Sequence, residues 1–248
     1  MRHFLVLITA VMMAVAWMPS TLMGQARNYP PEFSDARAEV YKRVDGIELN
    51  LWVFEPSGQA PGRSHPALGF FFGGGWKSGT PAQFEHHCRY LSRQGVVAMV
   101  ADYRVRQRHE TLADRCVADA KSAIRFVRQH AERLRVDPDR VVAAGGSAGG
   151  HLAACTAVIQ GLDEPWESLD VSSVPNALAL FNPALVLAPF DGVEIDSEKL
   201  ADLASRTGAP PQQISPIHHL RGGLPPTIIF HGESDTTVGF DTVRRYTE

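Results

Sequence analysis

The chain has 248 residues, 44% of them hydrophobic and 21% charged, and a net charge of −3 at neutral pH. That length suits one α/β domain with a substantial core, and the composition is ordinary for a soluble globular protein. The charge balance argues against nucleic-acid binding, which favours a basic patch.

The first 26 residues differ from the rest. Arg2 and His3 precede an apolar run over residues 4–18, followed by Pro19, Ser20 and the small residues Gly24 and Ala26. This pattern predicts a secretory signal cleaved after Ala26, leaving a domain over 27–248 that is exported to the periplasm or beyond the cell. The run is shorter than the roughly 20 residues a spanning helix needs, so membrane anchoring by residues 4–18 is the weaker alternative.

Residues 38–44 and 47–54 flank Asp45-Gly46, a two-residue hairpin signal. A polar Pro/Gly loop follows over 56–66. Residues 67–72 form a continuous apolar run ending at Gly73, as a buried central strand should. A helix over 81–93 precedes a second such run at 96–103. From 111 to 134, Leu112, Cys116, Val117, Ala120, Ala123, Ile124 and Val127 keep helical spacing, with arginines and a lysine on the other face.

Asp137-Pro138-Asp139 reads as a turn, and residues 141–144 as the strand that feeds Gly145. Residues 177–181 and 227–231 are two more buried strands. Between them a polar, Pro-containing insertion over 189–226 is placed to cover a site. Residues 241–248 begin a further helix. A hairpin followed by strands alternating with helices predicts an α/β fold, with a mostly parallel central sheet and helices on both faces. Ligands bind such sheets at the carboxyl ends of the strands, where the Gly73 loop, Ser147 and Asp235 all fall.

Ser147 sits in Gly145-Gly146-Ser147-Ala148-Gly149, between a strand and a helix-compatible stretch. This is the pattern of a nucleophile elbow, a sharp turn that lifts the serine hydroxyl above the sheet and leaves room only for small neighbours. A serine hydroxyl needs a base to take its proton and donors aimed at the oxyanion that forms. Phe72-Gly73-Gly74-Gly75-Trp76 can turn backbone N–H groups inward unobstructed, and the N–H of Ala148 would complete the set. Asp235, just past the strand 227–231, stands where an acid that orients the base belongs; Glu233 is the less suited alternative.

Other glycine-loop chemistries fail on inspection. A P-loop needs Gly-Lys-Ser/Thr, but Trp76 precedes Lys77-Ser78, and Gly145 lacks the spacing of a dinucleotide fingerprint. No His/Cys spacing suggests a metal. The adjacent pairs His86-His87 and His218-His219 point in different directions and chelate poorly. Three cysteines remain. Cys155 reads as a small buried apolar residue; Cys88 and Cys116 either pair or stay as thiols.

Taken together, Gly73-Gly74-Gly75-Trp76, Asp102-Tyr103-Arg104, residues 145–150, and His231-Gly232 with Asp235 make residues 38–248 resemble the α/β-hydrolase superfamily. The likeness is to its hormone-sensitive-lipase-like esterases and the related acetylxylan/feruloyl-esterase-like group. The resemblance implies an α/β-hydrolase fold and hydrolysis of an ester through an acyl-serine, without a cofactor. It further implies catalytic Ser147 and Asp235, with oxyanion donation from Gly74, Gly75 and Ala148. The substrate it implies is a small-molecule or carbohydrate ester, such as an acetyl or feruloyl ester.

Two features depart from that family. Its glycine loop usually opens with histidine, where this chain has Phe72. Its base is a histidine beyond the acid, after a helix and a last strand, yet no histidine follows Asp235. The expectation is that base, last strand and helix lie past residue 248. The chain alone is then nearly inactive, since losing a triad base costs on the order of a millionfold in turnover. His151, one helical turn after Ser147, and His231, His218 and His219 are the candidate substitutes; packing and turn-holding roles suit them better. Two rival functions are a prolyl-oligopeptidase-type peptidase, whose oxyanion donor is commonly a tyrosine, and a non-catalytic hydrolase fold used for binding.

Overall fold

A hairpin starts the sheet, with β1 (Arg37–Val44) and β2 (Ile47–Phe54) antiparallel and Val44 opposite Ile47. The computed structural model describes residues 29–57 and 64–248; the signal segment expected over 1–26 and part of the loop expected over 56–66 lie outside them. Asp45 at φ 49° and Gly46 at φ 76° supply the two positive angles of a tight hairpin turn.

β2 pairs antiparallel with β4 (Val97–Ala101), and every later pairing is parallel. With β3 (His65–Phe71), β5 (Val136–Gly146), β6 (Ala177–Phe181) and β7 (Thr227–Phe230), the order is β1-β2-β4-β3-β5-β6-β7. The expected mostly parallel sheet is therefore present. Buried Val, Ala, Met, Leu and Phe side chains of β3, β4, β5 and β6 form the core. β7 lies at the sheet edge, with Thr227 exposed and Ile228, Ile229 and Phe230 half-buried.

Two of the boundaries that differ from the sequence reading do so for clear local reasons. β3 begins at His65, within the expected loop, because His65 pairs with Val136. The turn expected at Asp137-Pro138-Asp139 is a bulge inside β5. The register shifts between His65 and Ala67, and the Asp139 N–H donates to Asp137 Oδ1 at 3.0 Å. Pro138 has no N–H for a ladder, so a bulge is where a strand tolerates it.

The helices of eight residues or more are α1 (Glu85–Arg93), entered through the 3-10 turn Pro81–Phe84, then α2 (Ala113–Gln129), α3 (Ala148–Val158), α4 (Ser197–Thr207) and α5 (Phe240–Thr247). α1 packs on β4, and α2 and α3 pack on β5 and on each other. α2 is shorter than the periodicity suggested, and most of the face read as its charged side is not solvated, Arg115 being the exposed exception. Asp119, Lys121 and Arg125 of that helix are all buried.

The reason is a closed ionic cluster. Lys42 Nζ of β1 lies 2.6 Å from both Asp119 Oδ1 and Glu164 Oε1. Arg104 Nη2, just past β4, lies 2.8 Å from Asp119 Oδ1 and 2.9 Å from Glu164 Oε1. Two cations thus meet two anions, and each charge has an opposite neighbour where water is excluded. A second group, Lys121 and Arg125 with Asp163 and Glu167, ties α2 to the segment after α3.

Removing one member strands the others. Asp119→Ala is expected to destabilise the domain by about 3–5 kcal/mol, because it leaves two buried cations to share the single carboxylate of Glu164. Urea unfolding of the two proteins at pH 7 measures the difference.

Candidate active site

The turn between β5 and α3 places Ser147 at φ 53°, ψ −119°. Residues with a side chain avoid that conformation, which costs about 1–3 kcal/mol and must be held by its surroundings. Three main-chain bonds hold it. The Ser147 N–H donates to Phe181 O at 2.9 Å, and the Ser147 carbonyl accepts from His151 N at 3.0 Å and Ala184 N at 3.3 Å.

The glycines around it are required by contact. A Cβ on Gly149 would stand 2.0 Å from Phe71 O, and one on Gly145 would stand 2.4 Å from the Gly149 carbonyl. Helix and strand ends therefore touch backbone to backbone. The first turn of α3 starts at Ala148, which adds the favourable field of a helix N-terminus at the serine.

The glycine loop leaves β3 directly beside this turn, where a Cβ on Gly73 would lie 3.4 Å from Ser147 Cβ. Gly74 at φ 137° and Gly75 at φ 62° take angles that glycine adopts freely. The Gly74 carbonyl accepts from both Lys77 N and Ser78 N at 3.1 Å, so the loop curls on itself. Phe72 replaces the histidine the resemblance leads one to expect. It stacks on Tyr103 with ring centroids 4.1 Å apart, and the Tyr103 hydroxyl donates to Phe72 O at 2.7 Å.

Gly74, Gly75, Ser147 and Ala148 line a common cavity of about 310 Å³. Leu203 and Arg206 of α4 form another wall, and Thr237, Val238 and Gly239 a third. The insertion over 189–226 thus covers the serine, through α4. The wall near the serine is apolar, with Ala184, Val186 and Leu187.

Asp235 follows β7, and its Oδ1 accepts from Thr237 N at 2.8 Å and Val238 N at 3.0 Å. Its own turn fixes this carboxylate two residues before Thr237, the nearest residue in sequence that lines the cavity; Asp235 itself does not line it. His231 Nε2 donates to Val238 O at 2.7 Å and lies 3.7 Å from Asp235 Oδ2, so it braces the same turn. His218 and His219 spend Nε2 on the carbonyls of Pro189 and Gln212, each at 3.2 Å.

His151 is fully buried under the site. Trp76 Nε1–H donates to its Nδ1 at 3.2 Å, and its Nε2–H donates to Ile214 O at 2.7 Å. Both ring nitrogens are committed, so no lone pair is left for the Ser147 proton. Burial pushes its pKa down to about 4, with the Ile214 carbonyl opposing that shift. Its role is to hold Trp76, at the end of the glycine loop, against α3.

A family model described as BD-FAE matches residues 53–246. The chain belongs to the BD-FAE family. Among the solved structures, the native Est2 esterase of the planctomycete Thermogutta terrifontis has the same α/β-hydrolase fold, with a TM-score of 0.83 and 51% identity over 89% of this chain and 79% of that one. The probable isoprenylcysteine alpha-carbonyl methylesterase ICMEL1 of Arabidopsis thaliana is 28% identical over 74% of this chain and 41% of its own length. Esterase LipC of Mycobacterium tuberculosis is 26% identical over 76% of this chain and 49% of its own length. The chain therefore spans about half the length, or less, of these curated relatives, all of them named as ester hydrolases.

In this BD-FAE member several site residues gave no sequence signal. Leu203 and Arg206 sit on an ordinary amphipathic helix, and only the fold brings that helix over Ser147. Gln83 is an unremarkable glutamine in a 3-10 turn, yet its Oε1 accepts the Gly73 N–H at 2.6 Å. The open cysteine question is answered too: Cys88, Cys116 and Cys155 are all free and buried. Cys116 turns its sulfur to the carbonyls of Arg104 and Leu112, at 3.0 and 3.3 Å, away from any pairing.

His151 and His87, each with a pKa pushed by burial to about 4, make stability depend on pH. Both stay neutral in the fold but take a proton when unfolded below the ordinary histidine value, so acid favours the unfolded chain. Stability is expected to fall as pH drops from about 6.5 towards 4, by about 2 kcal/mol at pH 5 for His151 alone. Urea unfolding at pH 7 and pH 5 checks this, and His151→Gln should flatten its share of the slope.

Proposed function

We propose that this chain carries the nucleophile, oxyanion loop and acid of a serine carboxylic ester hydrolase. The observation that carries the reading is one cavity lined by a strained, rigidly held Ser147 together with Gly74, Gly75 and Ala148. Ser147 Oγ attacks the ester carbonyl, and the N–H groups of Gly74, Gly75 and Ala148 receive the oxyanion as it forms. Such donors are worth about 3–4 kcal/mol each in the transition state. The alcohol leaves, and water then frees the acyl group from the serine. Asp235, preset by its two backbone N–H contacts, orients the base.

The base in this proposal is a histidine outside the 248 residues. Three observations support it. His151 has both ring nitrogens engaged. His231 is bonded to Val238 O. β7 keeps apolar side chains half-exposed along the sheet edge, where a further strand would pair.

The acyl group of this proposed substrate is small, in keeping with a cavity of about 310 Å³ and with the propionate- and butyrate-bound forms of the Thermogutta esterase 2. An acetyl or feruloyl ester of a carbohydrate is the proposed class, met outside the cytoplasm after cleavage of residues 1–26.

The complete protein is expected to hydrolyse p-nitrophenyl acetate and to leave a proline p-nitroanilide intact. It should also label with a fluorophosphonate probe, and Ser147→Ala should abolish hydrolysis and labelling together. The 248-residue chain should turn over about a millionfold more slowly. A folded complete protein that does not label at all would instead favour a binding role for the fold.

A further inference from the structure

The loop that supplies the oxyanion donors is held from outside itself. Its opening residue is Phe72, which offers only a ring to stack and a carbonyl to accept. The peptide between Phe72 and Gly73 is held at both polar groups: its carbonyl accepts from the Tyr103 hydroxyl, and its N–H, on the side facing the 3-10 turn, donates to Gln83 Oε1 at 2.6 Å. The amide assignment is unambiguous, because a backbone N–H can only be met by the side-chain oxygen.

Gln83 is itself fixed by position. It lies in the 3-10 turn Pro81–Phe84, whose Pro81, Ala82 and Phe84 are buried, and Phe84 stacks on Phe70 of β3 with centroids 4.5 Å apart. The turn and the strand that launches the glycine loop therefore move as one body.

We propose that Gln83 is a positioning residue for the oxyanion loop. By taking the Gly73 N–H, it removes that group from the cavity and, with Tyr103, fixes the Phe72–Gly73 peptide, one peptide ahead of the Gly74 N–H. The N–H groups of Gly74 and Gly75 are then presented to the cavity they line with Ser147, close to Gly73, where an added Cβ would lie 3.4 Å from Ser147 Cβ. This assignment rests on the ester-hydrolase reading for its catalytic consequence, and on the hydrogen bond alone for its structural one. The two parts fail separately.

The test reads both. Hydrogen exchange of the Gly73 amide, followed by NMR on the 248-residue chain, should quicken roughly tenfold in Gln83→Leu, the protection one ordinary hydrogen bond supplies. Gln83→Glu keeps an acceptor and should keep the protection. In the complete protein, Gln83→Leu should lower kcat for p-nitrophenyl acetate about tenfold with KM unchanged, since the oxyanion exists only after binding.

Unchanged Gly73 exchange in Gln83→Leu overturns the proposal whatever the activity. Quickened exchange with kcat unchanged, or with KM alone raised, overturns its catalytic part. A complete wild-type protein with no esterase activity refutes the hydrolase reading and leaves the exchange result to judge the hydrogen bond.

Discussion

How closely α3 passes the ends of β3 and β5 governs the rest of the site. At Gly149 there is no space for even a methyl group beside Phe71 O, and at Gly145 none beside Gly149. This backbone contact brings the glycine loop leaving β3 against the first turn of α3. Gly74, Gly75, Ser147 and Ala148 thus share one cavity. Rigidity follows, because close-packed main chain has no rotamers to change. The strained angles of Ser147 persist for the same reason, with β6 and the segment after it holding both peptide groups.

A second line of support runs from the far side of the molecule. The buried carboxylates Asp119 and Glu164, shared with Lys42, grip Arg104, and the Arg104 backbone N–H also donates to Asp119 Oδ2 at 3.0 Å. Arg104 follows Tyr103, and Tyr103 holds the carbonyl of Phe72. The ionic cluster therefore reaches the glycine loop through two consecutive residues. That relay gives the Asp102-Tyr103-Arg104 triplet a physical meaning. Asp102 also accepts from Tyr29 and from the Tyr103 N–H, and burial raises its pKa to about 6 against those contacts.

The strands and the elbow were legible because their signals are local. An apolar run ending in glycine, a two-residue Asp-Gly turn, and Gly-x-Ser-x-Gly each state a backbone requirement in adjacent residues. Polar burial was not legible. Lys121 and Arg125 look like the wet side of a helix until the segment carrying Asp163 and Glu167 folds over them. His151 was readable as near the serine, from its spacing of four, but not as spent, since its partners Trp76 and Ile214 are remote in sequence. Gln83 and Arg206 belong with it, as residues whose part depends on what other elements bring to them.

The three cysteines have a practical consequence. Each is fully buried, and that burial raises its thiol well above the ordinary range. Thiolate is the species that attacks disulfides and reacts with oxidants, and here it is both scarce and out of reach. The folded domain neither needs an oxidising compartment to hold its shape nor suffers from one. The folded domain kept in a reducing buffer and the same domain kept in air-equilibrated buffer should be the same molecule, bond for bond.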